Sequence, residues 1–446
     1  MQRYEAAQRW LYSLITDPEG KRFERDKSAE TVRQELRAAI PRLLDFLQFA
    51  GNPHQKFRSI HVAGTSGKGS VTTMIAALLT ACGFDTVDHT SPFLQVPTEK
   101  LRRNGEIVSA EQFADLVWQF RDLYEAWGKR LAYIEAWTAL TMLWMAHVQP
   151  DFAVYETGMG GRFDPSNVLA SELAVITNVD FDHMKSLGDS LHEIAWHKAG
   201  IIESNGRVVT AARKRDVLAE IARESAEKNA KLQHVNFQTD GDTLTVCGRF
   251  ATYSVRVANA GGFQGVNAAT AITAVDWLAH DFGFELSDHL IEETLRGVRT
   301  IGRLETMQTD PLIIIDGAHN PHKATALAQA VRSAYPERPI TVLMGMVGNK
   351  ASVGVVEALL PVAARFIFSE PNVFGKPALP ATQLVETLRK LSADTPYTIA
   401  PNVQDGIERW LSEASADEML LVTGSIYMIG EARGRWFPIE ELLQIP

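Results

Sequence analysis

The chain has 446 residues, 46% of them hydrophobic, a formal net charge of -10 and two cysteines. That length allows roughly two to three domains with sizeable cores, and an acidic surplus with both signs interspersed argues against nucleic acid or an anionic membrane surface as a partner. Cys82 and Cys247 lie far apart without metal-type spacing, which excludes a disulfide framework and points to a reducing compartment.

The N-terminal stretch "MQRYEAAQRWLYSLITDPEGKRFERDKSAE" reads as amphipathic and charged, without the apolar core and cleavage site of a signal peptide. No later stretch approaches the ~18 uninterrupted apolar residues of a membrane span. A soluble cytoplasmic protein is therefore expected, and it is read as a monomer.

After these helices, "SIHVAG" predicts a buried strand and "VTTMIAALL" a long apolar-faced helix. Between them, Gly64 to Ser70 form a strand-to-helix turn, where backbone N–H groups and the helix N-terminus attract phosphate. Lys68 would neutralise the outer phosphates and Ser70 could reach a bound Mg²⁺. The standard phosphate-loop pattern wants Ser or Thr directly after the lysine, and here Gly69 intervenes. A glycine-rich turn with a solvated lysine is the alternative.

"DFAVYETG" predicts the next strand, too apolar to leave Glu156 facing its core. A carboxylate at a strand's carboxyl end beside a phosphate loop suits Mg²⁺, although a surface glutamate needs only water. "LAVITNVD" is a third strand, and His183 just beyond it is a metal ligand or an ordinary capping histidine. Lys198 falls in the apolar helical context "IAWHKAGII", where an ammonium is costly unless paired or altered.

From Leu232 to Val257, Asp-Gly and Cys-Gly turn signals between alternating segments predict an antiparallel meander attached to the first sheet. The helix "NAATAITAVDWLAHDFG" follows, and then "GVRTIGRLE", a polar segment from Gly297 to Glu305 that reads as an interdomain hinge. "LIIIDGAHN", "PITVLMG", "RFIFSE" and "MLLVTGS" predict the strands of a second α/β domain, with Asp316 and His319 past the first and Asn320-Pro321 starting a helix. Strands apolar on both faces that alternate with helices imply parallel sheets, whose ligands sit beyond the carboxyl strand ends. The expected fold is α/β in two domains, 1–297 with a mainly parallel sheet plus a small antiparallel one, and 298–446, Rossmann-like.

Taken in order, "GTSGKGS", "TSPFL", "YETGMGGRFDPSNV", "ITNVDFDHMKSLG…IAWHKAGI", "FQGVNAATA", "GRLE", "DGAHNPHKA" and "VTGSIYMIGE" resemble the motifs of the folylpolyglutamate synthase and dihydrofolate synthase family of the Mur ligase superfamily. The resemblance runs from about Ile60 to Glu431. It implies a P-loop-type ATPase domain followed by a glutamate-ligase domain. ATP would phosphorylate the carboxylate of a folate or dihydropteroate, and the amine of L-glutamate would attack the acyl phosphate. The protein's task would be chiefly to neutralise and align charge.

By resemblance, Gly64, Thr65, Gly67, Lys68, Gly69 and Ser70 hold the ATP phosphates, and Asn267, Arg303 and Asp316 contact the nucleotide. Two Mg²⁺ sites are implied, drawing on Ser70, Ser91, Glu156 and His183, and Lys198 matches a lysine that carries a CO₂-derived carbamate. Lys68, Lys198 and His319 are the implied catalytic residues, and Arg162, Asp164 and Ser425 the implied substrate contacts. ATP would be sandwiched, with domain closure assembling the site.

Phe93 and Phe263 stand where the family usually has histidine, His197 where it usually has glutamate, and "GNKA" (348–351) where Asp-Lys-Asp is typical. These departures leave the acceptor's identity open. A cell-wall Mur ligase would carry about 100 further residues before its loop. A simple nucleotide switch lacks the second domain. A catalytically silent paralogue is the remaining alternative.

Overall fold

The computed structural model describes residues 1–15, 29–257, 260, 262–298, 301–348, 352–373 and 377–444. Among them two compact units emerge, one from residues 1–15, 29–93 and 98–298, the other from 94–97 and from 301 onward.

The first unit is built on eight strands: β1 (Ser59–Ala63), β2 (Thr86–His89), β3 (Arg102–Arg103), β4 (Glu106–Ile107), β5 (Phe152–Glu156), β6 (Leu173–Ile176), β7 (Arg207–Thr210) and β8 (Lys231–His234). Their order is β4-β3-β2-β5-β1-β6-β7-β8, parallel from β2 to β8 and antiparallel only at the β3 and β4 edge. β1 and β5 are buried along their whole length, as expected of central strands covered on both faces.

On one face, Ile60, Val62, Phe152, Val154, Leu173 and Val175 pack against Val71, Ile75, Leu78 and Leu79 of the helix Lys68–Ala81 and Ile272 and Val275 of the helix Phe263–Phe282. Each such fully buried side chain contributes about 1.5–3 kcal/mol, so the strand-to-helix turn between β1 and Lys68 is anchored at both ends.

The predicted meander is present, but it begins later than expected. Leu232 belongs to β8, which follows the helix Arg215–Glu227 and pairs with β7 in parallel. A helical crossover enforces that direction. The antiparallel sheet proper is β9 (Asn236–Asp240), β10 (Thr243–Cys247) and β11 (Thr252–Arg256), a separate three-stranded sheet in the order β11-β10-β9.

The second unit carries β12 (Glu305–Thr309), β13 (Leu312–Ile315), β14 (Ile340–Met344), β15 (Ala363–Phe368), β16 (Tyr397–Ile399) and β17 (Met419–Thr423). The order is β12-β13-β17-β14-β15-β16, all parallel except β12. Two apolar clusters cover its faces, one around Val342, Phe366 and Leu421, the other around Leu343, Trp410 and Val422. Leu94 joins the second cluster. Its neighbour Gln95 accepts from Arg433 Nη1 at 2.6 Å and donates to the Phe437 carbonyl at 2.9 Å.

Arg299 and Thr300 of the anticipated hinge lie outside the described residues. Among the described residues, no helix is long and apolar enough to cross a membrane.

Candidate functional site

The turn after β1 has the backbone of an anion site. Gly67 (φ +82°) is the N-cap of the helix Lys68–Ala81 and has no side chain to cap it, so the helix start presents backbone N–H groups of the kind that bind anions. A Cβ at Gly67 would come within 2.4 Å of Asn267 Oδ1, so both the left-handed backbone and the approach of Asn267 require glycine there. Asn267 itself is buried and donates to Gln264 Oε1 at 3.1 Å.

The loop is gripped by the residues that follow β6. Thr65 N–H donates to the Asn178 carbonyl at 2.8 Å, and Ser66 N–H to Asn178 Oδ1 at 2.7 Å. Thr177 Oγ1 donates to the Ser66 carbonyl at 2.7 Å, and Thr65 Oγ1 to the Asp180 carbonyl at 3.0 Å. Thr65 was expected at the phosphates, whereas Thr177, Asn178 and Asp180 entered only within the motif "ITNVDFDHMKSLG", with no role of their own.

Glu156 closes β5 and is buried. Its Oε1 lies 3.8 Å from Lys68 Nζ, and its Oε2 accepts the Ser91 N–H at 2.8 Å. A Cβ on Gly69 would stand 3.3 Å from Glu156 Oε2. The structure thus brings Lys68, Gly69, Ser91 and Glu156 together, with Ser70 the next residue on the helix. Hydroxyl and carboxylate oxygens, as on Ser70, Ser91 and Glu156, suit Mg²⁺, a hard cation that keeps part of its water shell.

His183 adopts a left-handed backbone (φ 50°) just before the short helix Met184–Leu187. It follows the segment that grips the phosphate loop, and its half-exposed imidazole lies 3.9 Å from Asp182. Among the described residues, no group of three or more His, Cys, Asp or Glu side chains forms a metal cage.

Lys198 is buried on the helix Leu191–Ala199, and its Nζ donates to the Gly64 carbonyl at 2.8 Å. That places it at the first residue of the phosphate loop. A carbamate on this nitrogen would retain one N–H, so the bond to Gly64 is compatible with the modification. The neighbouring His197 is also buried, and burial, reinforced by Arg162, Arg33 and Lys198, pushes its pKa down to about 4. A neutral ring therefore occupies the position where the resemblance expects a carboxylate.

Arg162 is pinned within the unit: its guanidinium pairs with Glu224 at 2.6 Å and lies 4.1 Å from the Trp196 ring centroid. Asp164 is buried in its own loop. Oδ1 accepts from Ser166 N–H at 3.0 Å and from Ser166 Oγ at 2.5 Å, and Oδ2 accepts from Met159 N–H at 2.9 Å. Of the departures, Phe93 faces Lys100 at 6.0 Å from ring to Nζ, and Phe263 is exposed at the start of its helix. Asn349 to Ala351 lie outside the described residues.

In the second unit, Asp316 follows β13 and accepts from Leu304 N–H at 3.0 Å and Ala318 N–H at 2.8 Å. Burial raises its pKa, while Arg303 opposes that shift. His319 Nδ1 lies 2.9 Å from the Gly317 carbonyl and must donate to it, which leaves Nε2 as an acceptor in the neutral ring. Asn320 caps the helix Pro321–Ala334 through Lys323 N–H, as anticipated. Ser425 caps the helix Ile426–Arg433 beyond β17. Gly424 N–H donates to the Ala318 carbonyl at 3.0 Å, so the loops carrying His319 and Ser425 are bonded to each other.

Residues 62–275 match the Mur ligase middle domain, and residues 302–426 match the Mur ligase glutamate ligase domain. The dihydrofolate synthase/folylpolyglutamate synthase of Bacillus subtilis (strain 168) is 30% identical over 421 residues, covering 90% of this chain and 95% of that protein. The folylpolyglutamate synthase of Lacticaseibacillus casei is 31% identical over 410 residues, covering 88% and 93%. Among solved structures, Mycobacterium tuberculosis folylpolyglutamate synthase complexed with ADP and AMPPCP superposes with a TM-score of 0.80 at 29% identity, covering 92% of this chain and 97% of that one.

Proposed function

The chain belongs to the Mur ligase family, and on that premise we propose that it is an ATP-dependent ligase that joins L-glutamate to the carboxylate of a folate or dihydropteroate. The observation that carries this reading is the meeting of Lys68 with Glu156 at the glycine-capped N-terminus of the helix Lys68–Ala81. The relatives supply the substrate class, since their names specify folylpolyglutamate and dihydrofolate synthesis.

A carboxylate is a poor electrophile because its charge resists an incoming amine. Transfer of the γ-phosphoryl group of ATP to a carboxylate oxygen gives an acyl phosphate and ADP. The neutral amine of glutamate then attacks the acyl carbon, phosphate departs with the bonding pair, and the amine gives up one proton.

In this reading Lys68 and the N–H groups at the helix start would hold the phosphates, and Ser70 and Glu156 would hold a divalent ion, whose charge would offset that of the transferring group when bound. A second divalent ion held by Ser91, Glu156 and His183, and a carbamate on Lys198, are further parts of the proposal. Arg303 and Asp316 would meet the nucleotide, and His319 with Ser425 the incoming glutamate. The two unpaired cysteines suit a reducing cytoplasm, and we take the monomer as the working unit.

Phosphate release tests the reading. With ATP and Mg²⁺ present, release should require glutamate and a pterin-linked carboxylate together. Release with neither present would identify a simple ATPase instead.

A further inference from the structure

The face of β1 that does not carry Ile60 and Val62 bears His61, a polar residue in mid-strand. His61 is in register with Tyr155 of β5, and Tyr155 with His89 of β2. All three are buried, and His61 has no exposure at all. Apolar side chains would fill this row at lower cost, so the partners of its polar atoms need an account.

His61 Nε2 lies 2.8 Å from Ser166 Oγ, and Ser166 Oγ lies 2.5 Å from Asp164 Oδ1. The remaining bonds to Asp164 come from backbone N–H groups, of Ser166 on Oδ1 and Met159 on Oδ2. Burial raises the pKa of Asp164 and these donors oppose the shift, and a shell made only of donors suits the ionised carboxylate. The single hydroxyl proton of Ser166 then goes to Asp164, and His61 must supply Nε2–H to the serine oxygen. This fixes the imidazole as the neutral Nε2–H tautomer, and its Nδ1 has no hydrogen-bond partner among the described residues. Burial favours the same neutral ring, pushing its pKa down to about 3.

The carboxylate so held binds the loop that leaves β5 two residues after Glu156. The side-chain bonds that grip the phosphate loop come from a different segment, Thr177, Asn178 and Asp180.

We propose that His61 and Ser166 are positioning residues for the ligase reaction: acting through Asp164, they hold the loop from Gly158 to Asp164, which leaves β5 beside Glu156 and carries the expected substrate contact Arg162, in the geometry that the carboxylate acceptor meets. The kinetic part rests on the ligase reading above, whereas the bonding pattern can be read without turnover.

The experiment compares Ser166→Ala with Ser166→Thr, and His61→Leu with His61→Gln, in steady-state kinetics on the full chain. Ser166→Ala and His61→Leu should lower kcat/KM for the acceptor by about ten- to a hundred-fold, the scale of a misplacement near 1 Å, with KM for ATP changed by less than about threefold. Ser166→Thr and His61→Gln retain the hydroxyl or an N–H donor and should recover most of the loss. The double variant should be no worse than the poorer single one, because both break one chain. Equal damage to ATP and acceptor parameters, additive losses, or a threonine variant no better than alanine would overturn the proposal. If His61→Leu does not fold, the Ser166 pair alone decides.

Nitrogen-15 shifts of the His61 ring in the unmodified protein give the second readout. A neutral Nε2–H ring at pH 7 supports the relay, and an Nδ1–H or cationic ring in an active enzyme overturns the relay alone. A chain that shows the Nε2–H ring yet joins glutamate to no acceptor overturns the ligase reading, and the positioning role with it.

Discussion

Lys68 Nζ lies 3.8 Å from Glu156 Oε1, so the cation of the phosphate loop and the carboxylate that ends β5 form a mostly buried pair. A buried charge left without its partner is strongly destabilising. On the proposed reading, phosphate at the helix start would compete with Glu156 for Lys68 and a divalent ion would compete with Lys68 for Glu156, so that the two together would replace the pair without stranding either charge.

Replacing Lys68 by alanine should leave a folded protein whose product formation falls by about two orders of magnitude or more, as when a main electrostatic stabiliser of a transition state is lost. Steady-state turnover and a melting curve measured together check this. Near-normal turnover would contradict the phosphate-cradle reading.

Glu156→Gln keeps the side chain's shape and can still accept the Ser91 N–H, but it removes the negative charge. Activity should fall about tenfold or more, with half-maximal activity moved to higher Mg²⁺. Titrating Mg²⁺ in Glu156→Gln and in His183→Ala tests the metal assignment, and unchanged titrations in both would remove it.

Lys198→Ala should be impaired and partly rescued by acetate or formate, which can occupy the position of an anionic carbamate, while amines should have no effect. The bond from Lys198 to the Gly64 carbonyl makes the vacated space adjacent to the phosphate loop. Rescue by amines alone, or an active enzyme whose intact mass and crystallographic density show a bare amine, would mean that the lysine acts as a cation.

Acid should destabilise the first unit. Burial pushes His54, His61, His89 and His197 below the ordinary histidine value, to about 3 for His61 and about 4 for His197. Between the unfolded value near 6.5 and these lower values, the unfolded chain binds protons that the folded chain refuses. The stabilisation is therefore complete above about pH 6.5 and is lost as pH falls toward 4. Asp88 and Asp164, raised by burial, act with the opposite sign in the carboxylate range. The melting temperature should be lower by a few degrees at about pH 5.2 than at about pH 7.5. His197→Gln should reduce that drop, and an unchanged melting temperature would show these rings to be ordinary.

The strands were legible because their apolar runs are short, bounded by turn residues and separated by helical patterns. The places of Lys68, Glu156 and Lys198 followed from the same logic, since each polar residue interrupts an apolar context at an element's end. The grip of Thr177, Asn178 and Asp180 on the phosphate loop was not legible, because those bonds join segments more than 100 residues apart. His61 and Ser166 were hidden for a related reason. A histidine inside an apolar strand looks the same in sequence whether its ring is bonded or merely packed, and only the fold brings Ser166 to it. Likewise, nothing in "TSPFLQVP" tells that Leu94 and Gln95 pack with Ile429 and Arg433.

The most direct test is ATP-dependent incorporation of labelled L-glutamate, with dihydropteroate and a reduced folate offered separately. Labelled amide product with at least one acceptor, formed one-for-one with ADP and abolished without ATP, is the predicted result. Intact ATP binding with no labelled product from either acceptor would contradict the assignment of this chain as a folate-directed glutamate ligase.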